Sequence, residues 1–190
     1  VSTGCKRLPE SGQEHFIGKR MITFSPSTGG VGFINEDGTN EHYLQLPEKE
    51  GMRWSGIAAV FPDKQHCVVM SYENYDITNN VTGKMYNRIW KYNLSTGECT
   101  ELITQGRPEN QVFCGSVLSD GKRMLCGVSL EDNRYQVLYL TDLDGSEWKL
   151  LSEKEFIYGA AVNHGETRIA FHLASEVPVI IAYMLKAQYL

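Results

Sequence analysis

Apolar and polar residues alternate along this chain in short runs, which Gly, Asp, Asn and Pro interrupt at intervals of roughly 8 to 12 residues. Alternation with a period of two sends successive side chains to opposite faces of an extended backbone. Runs such as HCVVMSY, RIWKYNL, RMLCGVS, QVLYLTDL and RIAFHL therefore predict strands. MITFS, GVGFIN, EHYLQL, SGIAAVF, CTELI, FCGSVL, WKLLS, IYGAAV and VPVIIAYML extend the series. No long window places apolar residues at 3.6 spacing between two caps, so helices are not expected. The predicted fold class is all-β.

The strands recur in a fixed order. A strand–turn–strand unit, AAVFPDKQHCVVM, returns as GSVLSDGKRMLCGV and again as GAAVNHGETRIAF. Its turn acids are Asp63 and Asp120, and His164 is expected to take the same place in the third copy. A second hairpin alternates with the first: FINEDGTNEHYLQL, KYNLSTGECTELI and YLTDLDGSEWKLL, with Asn35, Asn93 and Asp142 before the turn. An insertion, Asn74 to Asn87, lengthens one copy. Without it the period is about 45 residues and four strands, the spacing of a β-propeller blade. A blade apolar on both faces has to be sandwiched between neighbours, and Asp-Gly and Thr-Gly turns provide the positive φ that tight hairpins need.

The alternating SDGKRMLCG and YLTDLDGSEWKLL turns resemble the TolB-type propeller repeat, from about Gly30 to Ser175. The resemblance implies four-stranded antiparallel blades, about four in this chain, with boundaries near 53, 112 and 155. Residues 1–190 are then either one propeller domain or a propeller fragment. A closed four-blade ring requires residues 1–25 to complete the last blade; a larger ring, of which this is a part, is the favoured alternative. The chain begins at Val1 without a Met, as a processed protein or an excised piece would.

Composition narrows function mainly by exclusion. A net charge of −5, with Lys and Arg scattered singly or in pairs, provides no basic face for nucleic acid. The longest apolar run, VPVIIAYML, is too short to span a bilayer, so no membrane insertion is expected. Five cysteines show no CxxC and no paired spacing, which suits buried thiols and leans cytoplasmic, whereas the family resemblance leans periplasmic or secreted. Asn80-Val81-Thr82 and Asn93-Leu94-Ser95 are glycosylation-type triplets, which carry meaning only in a secretory pathway.

The acidic FINEDGTN stretch could be a calcium loop. As an EF-hand from Asn35 it fails, because the sixth position is Asn40 rather than Gly and the twelfth is Leu46 rather than Glu. It reads better as a hairpin turn. The five histidines have no HExxH or HxH spacing, and Ser116 and Ser119 lack a GxSxG context. No metal, cofactor or catalytic residue is therefore expected, and the chain alone leans away from being an enzyme.

In a propeller the B–C loops and D–A links share the usual ligand face. The B–C loops are expected at Ser71–Asn87, Leu130–Tyr135 and Ser175–Pro178, the D–A links at Pro47–Arg53, Thr104–Gln111 and Glu153–Glu155. A long loop in an economical repeat points to function. Arg53, Trp54, Tyr72, Asn74, Tyr75, Asp76 and Arg107 are the candidate ligand-binding residues, since aromatics with Asn, Asp and Arg stack on and hydrogen-bond sugars or peptides. The expected role is a non-catalytic binding or scaffold module for a protein or oligosaccharide, with further blades or a second domain of the same protein as other partners. Two enzymatic alternatives accompany it. FINEDGTN is similar to a hairpin of oligogalacturonate lyases, which implies a carbohydrate-active enzyme, but WSGIAAVFPD, VFCGSVLSD and FIYGAAVNHG lack the His that such enzymes carry before the turn. The other is the gating propeller of a prolyl-oligopeptidase-type peptidase.

Overall fold

The computed structural model describes residues 21–24, 31–39, 41–47, 51–73, 86–106, 108, 111–129, 136–163, 165–173 and 180–184. Among them every regular element is a β-strand, thirteen in all. The chain divides into two compact units, Val1–Glu101 and Leu102–Leu190.

The first unit opens with a three-stranded antiparallel meander of β1 (Met21–Phe24), β2 (Gly32–Asn35) and β3 (His42–Tyr43). Phe24, Gly32 and Tyr43 form one row across it, and the two rings meet edge-on at 5.8 Å over the glycine. A Cβ at Gly32 would fall 2.5 Å from the Phe24 ring, so the bare glycine is what lets the ring lie there. A four-stranded sheet follows in sequence order: β4 (Met52–Val60), β5 (His66–Glu73), β6 (Tyr86–Asn93) and β7 (Cys99–Leu102). Cys67 and Val69 on one face of β5, Tyr92 of β6 and Leu94 just past its end pack with Val31 and Phe33 into a core. Each large side chain buried this completely contributes about 1.5–3 kcal/mol.

The second unit is a single six-stranded antiparallel sheet. Its strands are β8 (Val112–Val117), β9 (Arg123–Ser129), β10 (Gln136–Asp142), β11 (Trp148–Val162), β12 (Arg168–Leu173) and β13 (Ile180–Met184). Strand β11 runs for 15 residues and serves two ladders. Its first part pairs with β10 through Trp148–Ser152 and again at Phe156, and Phe156 also begins the pairing with β12 that runs to Val162. The link expected at Glu153–Glu155 is therefore extended chain inside one strand. Leu125, Leu138, Ala160 and Ile169 form the core of this unit.

The three A–B turns share one backbone. Each closes with an N–H to C=O bond, Phe61 to His66, Leu118 to Arg123 and Asn163 to Arg168, at 2.9–3.0 Å. Each holds positive φ three residues after closure, at Lys64, Gly121 and Glu166. Aligned this way, Gly165 rather than His164 matches Asp63 and Asp120; His164 lies outside the described residues. Asp63 Oδ1 accepts from the amides of Gln65 and His66, and Asp120 Oδ1 from Lys122 and Arg123. In the third turn Asn163 Oδ1 caps the equivalent pair, Thr167 and Arg168, from two positions earlier. The alternate hairpins share a glycine at positive φ that donates back into the turn: Gly38 and Gly145 to the carbonyls three residues earlier, Asn35 and Asp142, and Gly97 to the one four earlier, Asn93.

Candidate functional site

The blade β4–β7 presents chemistry at both ends. At the end where β5 leads into residues 74–85, Arg53 pairs in register with Tyr72 and Trp54 with Ser71. Neighbours along a strand point to opposite faces. Arg53 and Tyr72 thus share one face, and Tyr72 also bonds Ser55, two residues along β4. Burial pushes the Tyr72 phenol up, which the Ser55 hydrogen bond partly offsets. This row brings a guanidinium, a phenol and a hydroxyl together on one face.

Trp54 faces the other way. Its indole N–H donates to the Pro47 carbonyl at 2.8 Å, and its ring packs on Trp90 at 5.7 Å against the first unit's core. Trp90 in turn donates to Ser71 Oγ at 2.8 Å. The expected partnership of Arg53 with Trp54 is split between two faces, with Trp54 braced from behind. Beside them Arg88 joins three strands, donating to Glu73 at 2.9 Å and to Glu101 at 2.6 Å. The Glu73 hydrogen bond leads the causes that hold its guanidinium charged well above the ordinary range. Tyr72 and Glu73 are strand residues, not loop residues. Asn74, Tyr75, Asp76 and Arg107 lie outside the described residues.

The opposite end holds a network that the sequence did not single out. His66 donates from Nδ1 to Asp63 Oδ2 at 2.7 Å, and its Nε2 lies 3.2 Å from Asn93 Nδ2. Asn93 Oδ1 already accepts from the amides of Ser95 and Thr96, so its nitrogen must face the histidine. That fixes the tautomer: Nε2 accepts and Nδ1 carries the proton. Burial raises the Asp63 carboxyl, but the Gln65 amide and the His66 ring outweigh it and hold it below the ordinary value. His66, Asn93, Lys91, Glu98 and Thr100 line an open groove of about 130 Å³. Lys91 is engaged over the Phe61 ring, 4.8 Å from its centre. The signal available in sequence was the nitrogen-bearing side chain three residues after the turn acid, His66 after Asp63 and Arg123 after Asp120, the latter pair bonded at 2.6 Å.

The FINEDGTN turn is a hairpin. Asp37 Oδ1 is taken by the amide and hydroxyl of Thr39 at 2.9 and 2.6 Å, and Asn35 donates to the same hydroxyl. Among the described residues no group of three His, Cys, Asp or Glu is placed to hold a metal ion.

No family model matches the sequence, and no curated protein does. Solved structures do match. TolB from Acinetobacter baumannii is 19% identical with a TM-score of 0.58, covering 88% of this chain and 39% of that one. An oligogalacturonate lyase from Vibrio parahaemolyticus is 18% identical with a TM-score of 0.52, covering 90% and 49%. An oligogalacturonate lyase in complex with manganese is 16% identical with a TM-score of 0.51, covering 84% and 42%. The chain thus spans half or less of the length of each of these structures. With the alternating turns and antiparallel strand sets, these likenesses show the fold: the chain is built of TolB-like β-propeller blades.

Proposed function

We propose that the chain is a non-catalytic propeller module that binds a protein or oligosaccharide at the blade edge where β5 meets the insertion. The observation that carries this reading is the row of Arg53, Ser55 and Tyr72 on one face, beside strand ends that Arg88 locks together. Rigid strands holding hydrogen-bonding side chains next to a long connection are how scaffolds present binding groups. In sequence, the twelve residues between Glu73 and Tyr86 follow directly and include Asn74, Tyr75 and Asp76.

The test is a screen of the intact chain against an oligosaccharide array and a peptide library, repeated with Asn74–Lys84 deleted and with Arg53→Ala. Binding is expected to vanish in the deletion and fall about tenfold or more in R53A, while the melting temperature moves by only about 2 °C. Retention of full binding by both variants overturns the reading. A second reading, part of a carbohydrate-active lyase-like enzyme, draws on the fold likeness to two oligogalacturonate lyases. Unsaturated-uronide formation from oligogalacturonate with added manganese would favour it over the first.

A further inference from the structure

Strands β8 and β9 set two cysteines directly opposite each other, Cys114 and Cys126. In an antiparallel ladder, pairs that exchange backbone hydrogen bonds alternate with pairs that do not. The Ser129 amide donates to the Gln111 carbonyl at 2.9 Å, which makes 111 and 129 a bonded pair. Counting inward, 112 with 128 is non-bonded, 113 with 127 bonded, and 114 with 126 non-bonded. Non-bonded pairs bring their Cα atoms to about 4.5 Å with side chains side by side, and a disulfide spans Cα separations of about 4.4–6.8 Å. The two cysteines therefore share one face, in a pair type whose usual Cα separation falls within the range a disulfide spans.

The matching position in the first unit is Ile57 opposite Val69. Both ladders shift register immediately afterwards, at Ile57/Ala59 and at Cys114/Ser116, so the two sites are equivalent in the repeat. An apolar pair fills this site well. Two thiols fill it too, and add redox chemistry. Cys126 is fully buried and Cys114 is 7% exposed, which makes Cys114 the sulfur that an oxidant reaches first.

We propose that Cys114 and Cys126 form a reversible cross-strand disulfide by exchange with a small-molecule disulfide of the glutathione class. The Cys114 thiolate attacks one sulfur of the reagent, its S–S bond breaks, and the first small thiolate leaves and takes up a proton. The Cys126 thiolate then attacks the Cys114 sulfur, the mixed disulfide breaks, and a second small thiol is released. The protein pair loses two electrons and two protons, and the small disulfide is reduced to two thiols. Cys67, whose thiol burial pushes up to about 12, is a poor competitor for the first step.

The test incubates the whole chain, under native conditions, in glutathione buffers of graded ratio, followed by alkylation and peptide mapping. A Cys114–Cys126 linked peptide is expected, two hydrogens lighter than its reduced parts. The melting temperature should rise on the order of 5 °C and return on adding dithiothreitol. Cys114→Val and Cys126→Val, which restore the apolar character of the equivalent Ile57–Val69 pair, should fold and show neither the linkage nor the rise. A chain that stays reduced across the range, stops at a Cys114 mixed disulfide, or links either cysteine elsewhere overturns the proposal. The mapping is done on the unaltered chain, so it decides even if a variant fails to fold.

Discussion

The passage from β3 to β4 and the passage through the middle of β11 perform the same task, carrying the chain from one strand set to the next. Their chemistry is opposite. The first contains Pro47 and Gly51, the latter at φ 72, and the sheets it joins are separate. The stretch before β8 likewise contains Gly106 at φ 55 and Pro108, with a sheet break. Residues 153–155 are Glu-Lys-Glu, without a breaker, and the backbone continues extended so that two ladders fuse into one sheet. The repeat thus does not itself define where a sheet ends. Proline, which cannot donate to a ladder, and glycine, which turns it, do so.

The contrast can be broken most severely at the bulge that precedes each A–B turn. The bulged residue is Ala58 in the first unit and Gly115 in the second, and at Gly115 an added Cβ would meet the Ala160 carbonyl oxygen at 2.1 Å. Gly115→Ala should cost about 3 kcal/mol or more, because β8 and β11 must part, whereas Ala58→Gly should cost only about 0.5–1 kcal/mol. Urea unfolding of both variants measures the difference; equal costs would mean the close approach is not needed. A medium effect is expected from giving β11 the chemistry of the other links. Lys154→Pro with Glu155→Gly should lower stability by about 1 kcal/mol and raise hydrogen exchange only between residues 152 and 156. A loss several times larger would show that the fused sheet depends on an unbroken β11.

The smallest effect is acid dependence, which separates the carboxylate-capped turns from the amide-capped one. Burial raises the Asp120 carboxyl, but the Lys122 amide and the Arg123 guanidinium hold it below the ordinary value, as their counterparts do for Asp63. A lowered folded-state value adds stability that is complete above the unfolded value of 3.8 and is lost as pH falls through the folded one. Below pH 3.8, amide protection at Gln65, His66, Lys122 and Arg123 should fall. Protection at Thr167 and Arg168, capped by Asn163, should not follow. Parallel loss in all three turns would mean the carboxylates are not responsible.

Strand runs, the two alternating turns and the hairpin at residues 33–46 were legible because alternation and positive-φ glycines are local signals. The third A–B turn was misaligned by one residue because the same two amides can be capped from two different positions, and Asn163 uses the earlier one. The unbroken β11 was obscured because three charged residues between apolar runs look like a surface link. At the candidate site, adjacency in sequence suggested that Arg53 and Trp54 act together, yet the pleat sends them to opposite faces. The His66 network depends on β5 and β6 pairing His66 with Asn93, a register that no window of sequence contains.

Asn93 heads an Asn-Leu-Ser triplet, and its side chain is spoken for at both atoms. The oxygen holds two turn amides and the nitrogen holds the His66 ring. An oligosaccharide joins such a triplet through that nitrogen, so a glycosylating enzyme meeting the folded blade finds the acceptor occupied. Were the chain to pass such an enzyme, sugar attachment at Asn93 would be confined to the interval before the β6–β7 turn closes.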